Sequence, residues 1–81
     1  MKGIGIVLFL DYEIAKVYYE IQGNEGTMTL VKMKRDYTLF EEEDLTMQLK
    51  FQNGIIRDFF VWKELEDEKF KIKLHEPVPD N

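Results

Sequence analysis

Leu45, Met47, Leu49 and Phe51 alternate with Thr46, Gln48, Lys50 and Gln52, and Asn53-Gly54 follows directly. A period of two places successive side chains on opposite faces of a strand, and Asn-Gly is the dipeptide most typical of a two-residue type I′ hairpin turn. The segment therefore predicts a half-buried strand, a turn, and a return strand over residues 55–63. Pairing Gln52 with Ile55 opposes Phe51 to Ile56, Met47 to Phe60 and Leu45 to Trp62, which makes one apolar face. The other face would carry Ile55, Phe59 and Val61 beside polar neighbours. The same register sets Lys50 against Arg57, a like-charge pair that argues for a bulge altering it.

The period recurs along the chain. Ile4 to Leu10 is a continuous apolar run, suited to a strand covered on both faces or lying across a closed barrel. Ala15, Val17, Tyr19 and Ile21 alternate with polar residues, Gly23-Asn24-Glu25-Gly26 reads as a tight turn, and Thr27 to Leu30 alternates again. A turn centred on Asn24-Glu25 pairs Ile21 with Met28 and Tyr19 with Leu30, apolar on apolar. Val31 and Met33 then fall on the wrong face, which implies a bulge or a two-sided strand end. Residues 36–44 break the pattern and read as the longest loop, and Glu64 to Glu68 as another. Phe70, Ile72 and Leu74 form a last alternating strand before Pro77 and Pro79.

The chain thus predicts an all-β fold of about six mainly antiparallel strands, near 4–10, 14–22, 27–34, 45–52, 55–63 and 69–75. They are expected to form a meander curled into a small barrel or a twisted two-layer sheet. The competing reading is α+β, with residues 12–22 as a helix on a curved sheet: Asp11 can cap it, and Ile14, Val17, Tyr18 and Ile21 share a helical face. The strand reading is preferred because Val, Tyr and Ile favour strands and because the hairpin register matches. With 81 residues the expectation is a single compact domain over residues 1–76, followed by a frayed tail over residues 77–81.

Composition narrows the chemistry. No Cys and a single His, His75, leave neither a disulfide framework nor a Cys/His zinc site. There is no Ser either, and the Thr residues have no neighbouring His, so no catalytic triad is expected and the chain reads as non-enzymatic. Gly3-Ile4-Gly5 lacks the remainder of any phosphate-binding motif, and Glu41-Glu42-Glu43-Asp44 lacks the alternate ligand spacing and the Gly of a calcium loop. Neither cofactor nor metal is expected. The apolar run at residues 3–10 is too short for a membrane span and has no cleavage site after it, so the expected setting is cytoplasmic. A net charge of −5 argues against an ordinary nucleic-acid binder.

Two features point to binding instead. Acids cluster at Glu41, Glu42, Glu43 and Asp44 and again at Glu64, Glu66, Asp67 and Glu68, in segments flanking the second hairpin. Such clusters can steer a basic partner, or imitate nucleic acid towards a protein that binds it. Aromatics are also in surplus, and the neighbours Tyr18/Tyr19 and Phe59/Phe60 cannot all enter one core. Tyr18 and Phe59 are the expected contact residues. The leading expectation is a small acidic protein-interaction module that binds a protein partner or self-associates into a homo-oligomer. The alternative is a small acidic inhibitor of a nucleic-acid-binding protein, with the Lys-rich, Ser-free composition hinting at a mobile element.

Overall fold

The structure, a computed structural model, describes residues 1–33 and 45–78. Six strands follow one another: β1 (Lys2–Phe9), β2 (Tyr12–Gln22), β3 (Glu25–Met33), β4 (Met47–Lys50), β5 (Ile56–Glu66) and β6 (Lys69–Leu74). All their pairings are antiparallel and they close into a barrel in the order β1-β2-β3-β6-β5-β4. Residues 12–22 are strand, not helix. The order is not that of a meander, since β3 pairs with β6 and the barrel closes between β1 and β4.

One side-chain row from each strand fills the interior. Val7, Val17, Tyr19, Ile21, Met28, Leu49, Phe59, Val61, Phe70, Ile72 and Leu74 are all buried in a single core, and no polar residue is buried among the described residues. Tyr19 ties three strands together. Its ring lies over Gly3 and Gly5 of β1, where a Cβ on Gly5 would stand 2.8 Å from the Lys50 carbonyl oxygen and 3.1 Å from the Tyr19 ring. Tyr19 meets Phe51 edge-on at 4.8 Å, and its hydroxyl accepts the Gln52 backbone N–H at 3.0 Å. The phenol oxygen thus enters the barrel with its partner supplied, as burial requires.

Each turn differs in a definite way from its sequence reading. In the first central hairpin the turn is Gly23-Asn24, because Gly23 takes a φ of 66° that Glu25 would resist. Tyr19 therefore pairs with Met28, and Ile21 with Gly26. That is a slip of two residues from the expected register, so the same side chains still face inward. Val31 is the extra residue of the bulge that the pattern implied, skipped between Leu30 opposite Val17 and Lys32 opposite Lys16.

At Asn53-Gly54 the slip is one residue, and its effect is larger. The Gly54 N–H donates to the Phe51 carbonyl at 2.9 Å, Gly54 has φ of 91°, and Phe51 and Ile55 flank a three-residue loop. Met47 then opposes Phe59 and Lys50 opposes Ile56, which removes the Lys50–Arg57 clash. A one-residue change exchanges the faces of a strand. Phe59 and Val61 turn inward, while Phe60 is half-buried outside and Trp62 is exposed.

Glu64 to Glu66 belong to β5 and not to a loop; the turn is Asp67-Glu68, with Glu66 opposite Lys69 in a favourable charge pair. Within the segment expected as a tail, Val78 is buried and its N–H donates to the Gly23 carbonyl at 3.2 Å. Residues 79–81 lie outside the described residues.

Two stability measurements check these assignments. Phe59→Ala should cost about 3–5 kcal/mol in urea unfolding and Phe60→Ala well under half of that; the reverse ranking would restore the two-residue-turn register. The β1–β2 turn holds Leu10 and Asp11 at φ of 51° and 68°, a conformation that favours Asn and Gly. Leu10→Asn with Asp11→Gly should raise stability by about 1 kcal/mol.

Candidate functional site

A closed barrel whose interior is packed leaves its outer wall and its ends for contact with other molecules. Two parts of that wall are unusual, and both follow from the registers above.

The first is the outer face of β1. Its inward row is Gly3, Gly5 and Val7, and its outward row is Ile4, Ile6 and Leu8, which stand apart from the core cluster. Ile4 is 38% exposed, and Ile6 and Leu8 are half-buried. Ile4 opposes Tyr18 on β2, and Ile6 lies between Lys16 on β2 and Lys50 on β4. Ile56, 43% exposed, opposes Lys50 on the next strand. The result is an apolar stripe with lysines beside it.

The second is the wall formed by β5 and β6, with β6 three strands from β1 around the barrel and β5 two. Every outward side chain of β6 is a lysine: Lys69, Lys71 and Lys73. Trp62 on β5 is the extra residue of a bulge between Val61 opposite Ile72 and Lys63 opposite Lys71. A bulge twists the strand and re-aims its side chain, and Trp62 is 43% exposed. The ammonium groups of Lys71 and Lys73 stand 5.1 and 5.4 Å from its ring centroid, within cation–π range. An open groove of about 930 Å³ begins at Trp62 and Lys71 and crosses Thr27 and Glu20 to reach Lys2. Lys73 also pairs with Glu25 at 3.4 Å, an exposed and therefore weak ion pair.

Of the contact residues expected from sequence, Tyr18 lies half-buried on the outer wall beside Ile4, and its hydroxyl donates to Glu20 Oε1 at 3.1 Å. Partial desolvation, then the hydrogen bond and negative charge of Glu20, hold its phenol above the ordinary tyrosine value. Phe59 is 0% exposed and is no contact residue; the three-residue turn carries it inside. Glu64, Glu66, Asp67 and Glu68 are exposed together on the β5–β6 hairpin, whose tip is held to β3 by the Leu30 N–H donating to the Glu68 carbonyl at 2.8 Å. Leu65 is a second bulge residue there and is exposed among the acids. Glu41, Glu42, Glu43 and Asp44 lie outside the described residues.

Sequence reasoning missed Ile4, Ile6, Ile56 and Trp62 as surface residues. The apolar run of β1 was the available signal for the first two, since a strand with two apolar faces in a closed barrel must turn one outward. Among the described residues no group of three or more acids or histidines is arranged to hold a metal ion, and no helix is long and apolar enough to cross a membrane. Comparison with known proteins gives no match to a family model, to a curated protein or to a solved structure.

Replacing Glu20 with Gln removes both the charge and the carboxylate acceptor, so the Tyr18 phenol should titrate at a lower pH in Glu20→Gln than in the parent protein. Ultraviolet titration of phenolate, with Tyr18→Phe identifying the signal, reads the change.

Proposed function

We propose that this protein is a non-enzymatic protein-interaction module that engages its partner through the outer wall of β1. The observation that carries the reading is the outward apolar row Ile4, Ile6 and Leu8, extended by Tyr18 and Ile56 on the neighbouring strands. An apolar centre inside a polar rim is the usual anatomy of a protein interface. The rim is mixed: Lys16 and Lys50 flank Ile6, Glu13 lies opposite Leu8, and Glu20 accepts a hydrogen bond from the Tyr18 hydroxyl. A partner with acids opposite Lys16 and Lys50 would complement the centre of this wall. A cytoplasmic setting belongs to the same reading.

A second reading rests on the β5–β6 hairpin, where Glu64, Glu66, Asp67 and Glu68 are displayed around exposed Leu65. An exposed acidic hairpin is suited to occupying the basic site of a nucleic-acid-binding protein, as an inhibitor would.

One experiment addresses both. A photo-crosslinking amino acid placed at Ile6, at Leu65 or at the control position Gln22 is irradiated in the producing cells. The first reading expects a discrete adduct from position 6, weakened at least about tenfold by Ile4→Glu, as loss of an interface anchor should do. An adduct from position 65 alone supports the hairpin reading, and a ladder of self-adducts supports homo-oligomerisation. Adducts from none of the three positions would remove the proposal.

A further inference from the structure

Lysines at alternate positions of one strand, unopposed by acids at the middle one, are unexpected on a chain with a net charge of −5. Lys71 has Thr27 across from it on β3 and Lys63 on β5, so two like charges face each other directly. Such pairs are destabilising, and this one lies beside the bulge that turns the protein's single tryptophan outward. Neither feature serves the core. From these features we propose that the β5–β6 wall binds single-stranded nucleic acid, with a base stacked on Trp62 and the phosphates following Lys63, Lys71 and Lys73.

The geometry supports this class of ligand in three ways. The outward lysines of β6 recur every second residue, or about 6.8 Å along the strand, close to the interval between successive phosphates of a stretched single strand. Trp62 offers a flat, open ring instead of a shaped pocket, which suits a base of any identity and gives binding with little sequence preference. The ammonium groups now over the ring at 5.1 and 5.4 Å sit on flexible stems. They can move from the indole to a phosphate as a base takes their place. The acids nearest the track are Glu66, opposite Lys69, and Glu25, paired with Lys73 at 3.4 Å, so Lys71 and Lys63, which face each other, are the centre of the site, and Lys73 joins it as a phosphate displaces the exposed Glu25 carboxylate. The described acids Glu64, Glu66, Asp67 and Glu68 begin one residue past Lys63, so the phosphates run from Lys63 and Lys71 towards Lys73, away from the hairpin tip. Glu20 and Glu25 on the neighbouring strands set the limit of the phosphate track, which therefore follows β5 and β6 and not the floor of the groove.

Because Trp62 is the only tryptophan, its fluorescence reports this wall alone. The test titrates the intact protein with oligothymidylate about ten nucleotides long at low salt, reading Trp62 emission together with the anisotropy of an end-labelled strand. Binding should quench Trp62 and raise the anisotropy. Affinity should fall by roughly an order of magnitude between about 50 and 200 mM salt, as expected for about three neutralised phosphates on a single strand. Lys63→Gln with Lys71→Gln should flatten that salt dependence and weaken binding at least about tenfold. Trp62→Ala, followed by anisotropy, should weaken it at least about fivefold, while Trp62→Phe retains most of it. Circular dichroism of each variant establishes that the barrel is intact, and the two Lys→Gln changes are exposed enough to leave it so. Absence of binding at low salt would overturn the proposal. So would affinity unchanged in the lysine variant, or equal quenching by polyglutamate, which would assign the wall to an acidic peptide.

Discussion

The barrel depends on β1 being paired along both of its edges, to β2 and to β4. Closure removes the exposed strand edges that an open six-stranded sheet would carry. It also forces β1 to approach its neighbours closely on the inside, and Tyr19 occupies that space. Its ring fits because β1 has Gly3 and Gly5 beneath it, and its hydroxyl is satisfied by Gln52 in the β4–β5 turn. A larger residue at Gly5 would push on the Lys50 backbone, which is the very strand that closes the barrel. One side chain thus couples β2, β1 and the β4–β5 turn.

From that closure follows the division of the surface. With its small residues inward, β1 must show its large apolar residues outward, so Ile4, Ile6 and Leu8 are a consequence of how the barrel shuts. On the opposite wall the causes are local. Two bulges in β5 each place an apolar residue outside, Trp62 and Leu65, and the lysines of β6 cover the first with their ammonium groups. The outward row of β1 and the lysine row of β6 are separated by β2 and β3 on one side and by β4 and β5 on the other, while Ile56 and Trp62 lie at different heights of β5. A protein partner on β1 and a polyanion on β6 would therefore not compete for the same residues.

Most of the fold was legible in the sequence because a period of two survives local error. The all-β class, the count of strands and the Val31 bulge follow from alternation alone. The register of the β2–β3 hairpin moved by two residues, which leaves the faces unchanged and the core list intact. At Asn53-Gly54 the error was one residue, and that was enough to exchange Phe59 for Phe60 and to hide the exposure of Trp62. No composition rule separates a two-residue loop from a three-residue loop with Gly in the left-handed position, since Asn-Gly suits both. The strand order was illegible for a different reason: β4 pairs with β1 through contacts some forty residues apart in the chain, which periodicity does not encode. Of the contact residues, the acids of the β5–β6 hairpin were legible as exposed charge, whereas Phe59 was misplaced by the same one-residue slip.

Amide hydrogen exchange along β1 tests the closure most directly. In an antiparallel strand successive N–H groups point to alternate neighbours, so a strand paired on both edges protects every one of them. The closed barrel expects Ile6, Val7 and Leu8, all three opposite β4 residues, to exchange uniformly slowly and at rates comparable with β3. Alternating slow and fast exchange along residues 6–8 would mean that β1 is an edge strand and that the barrel is open.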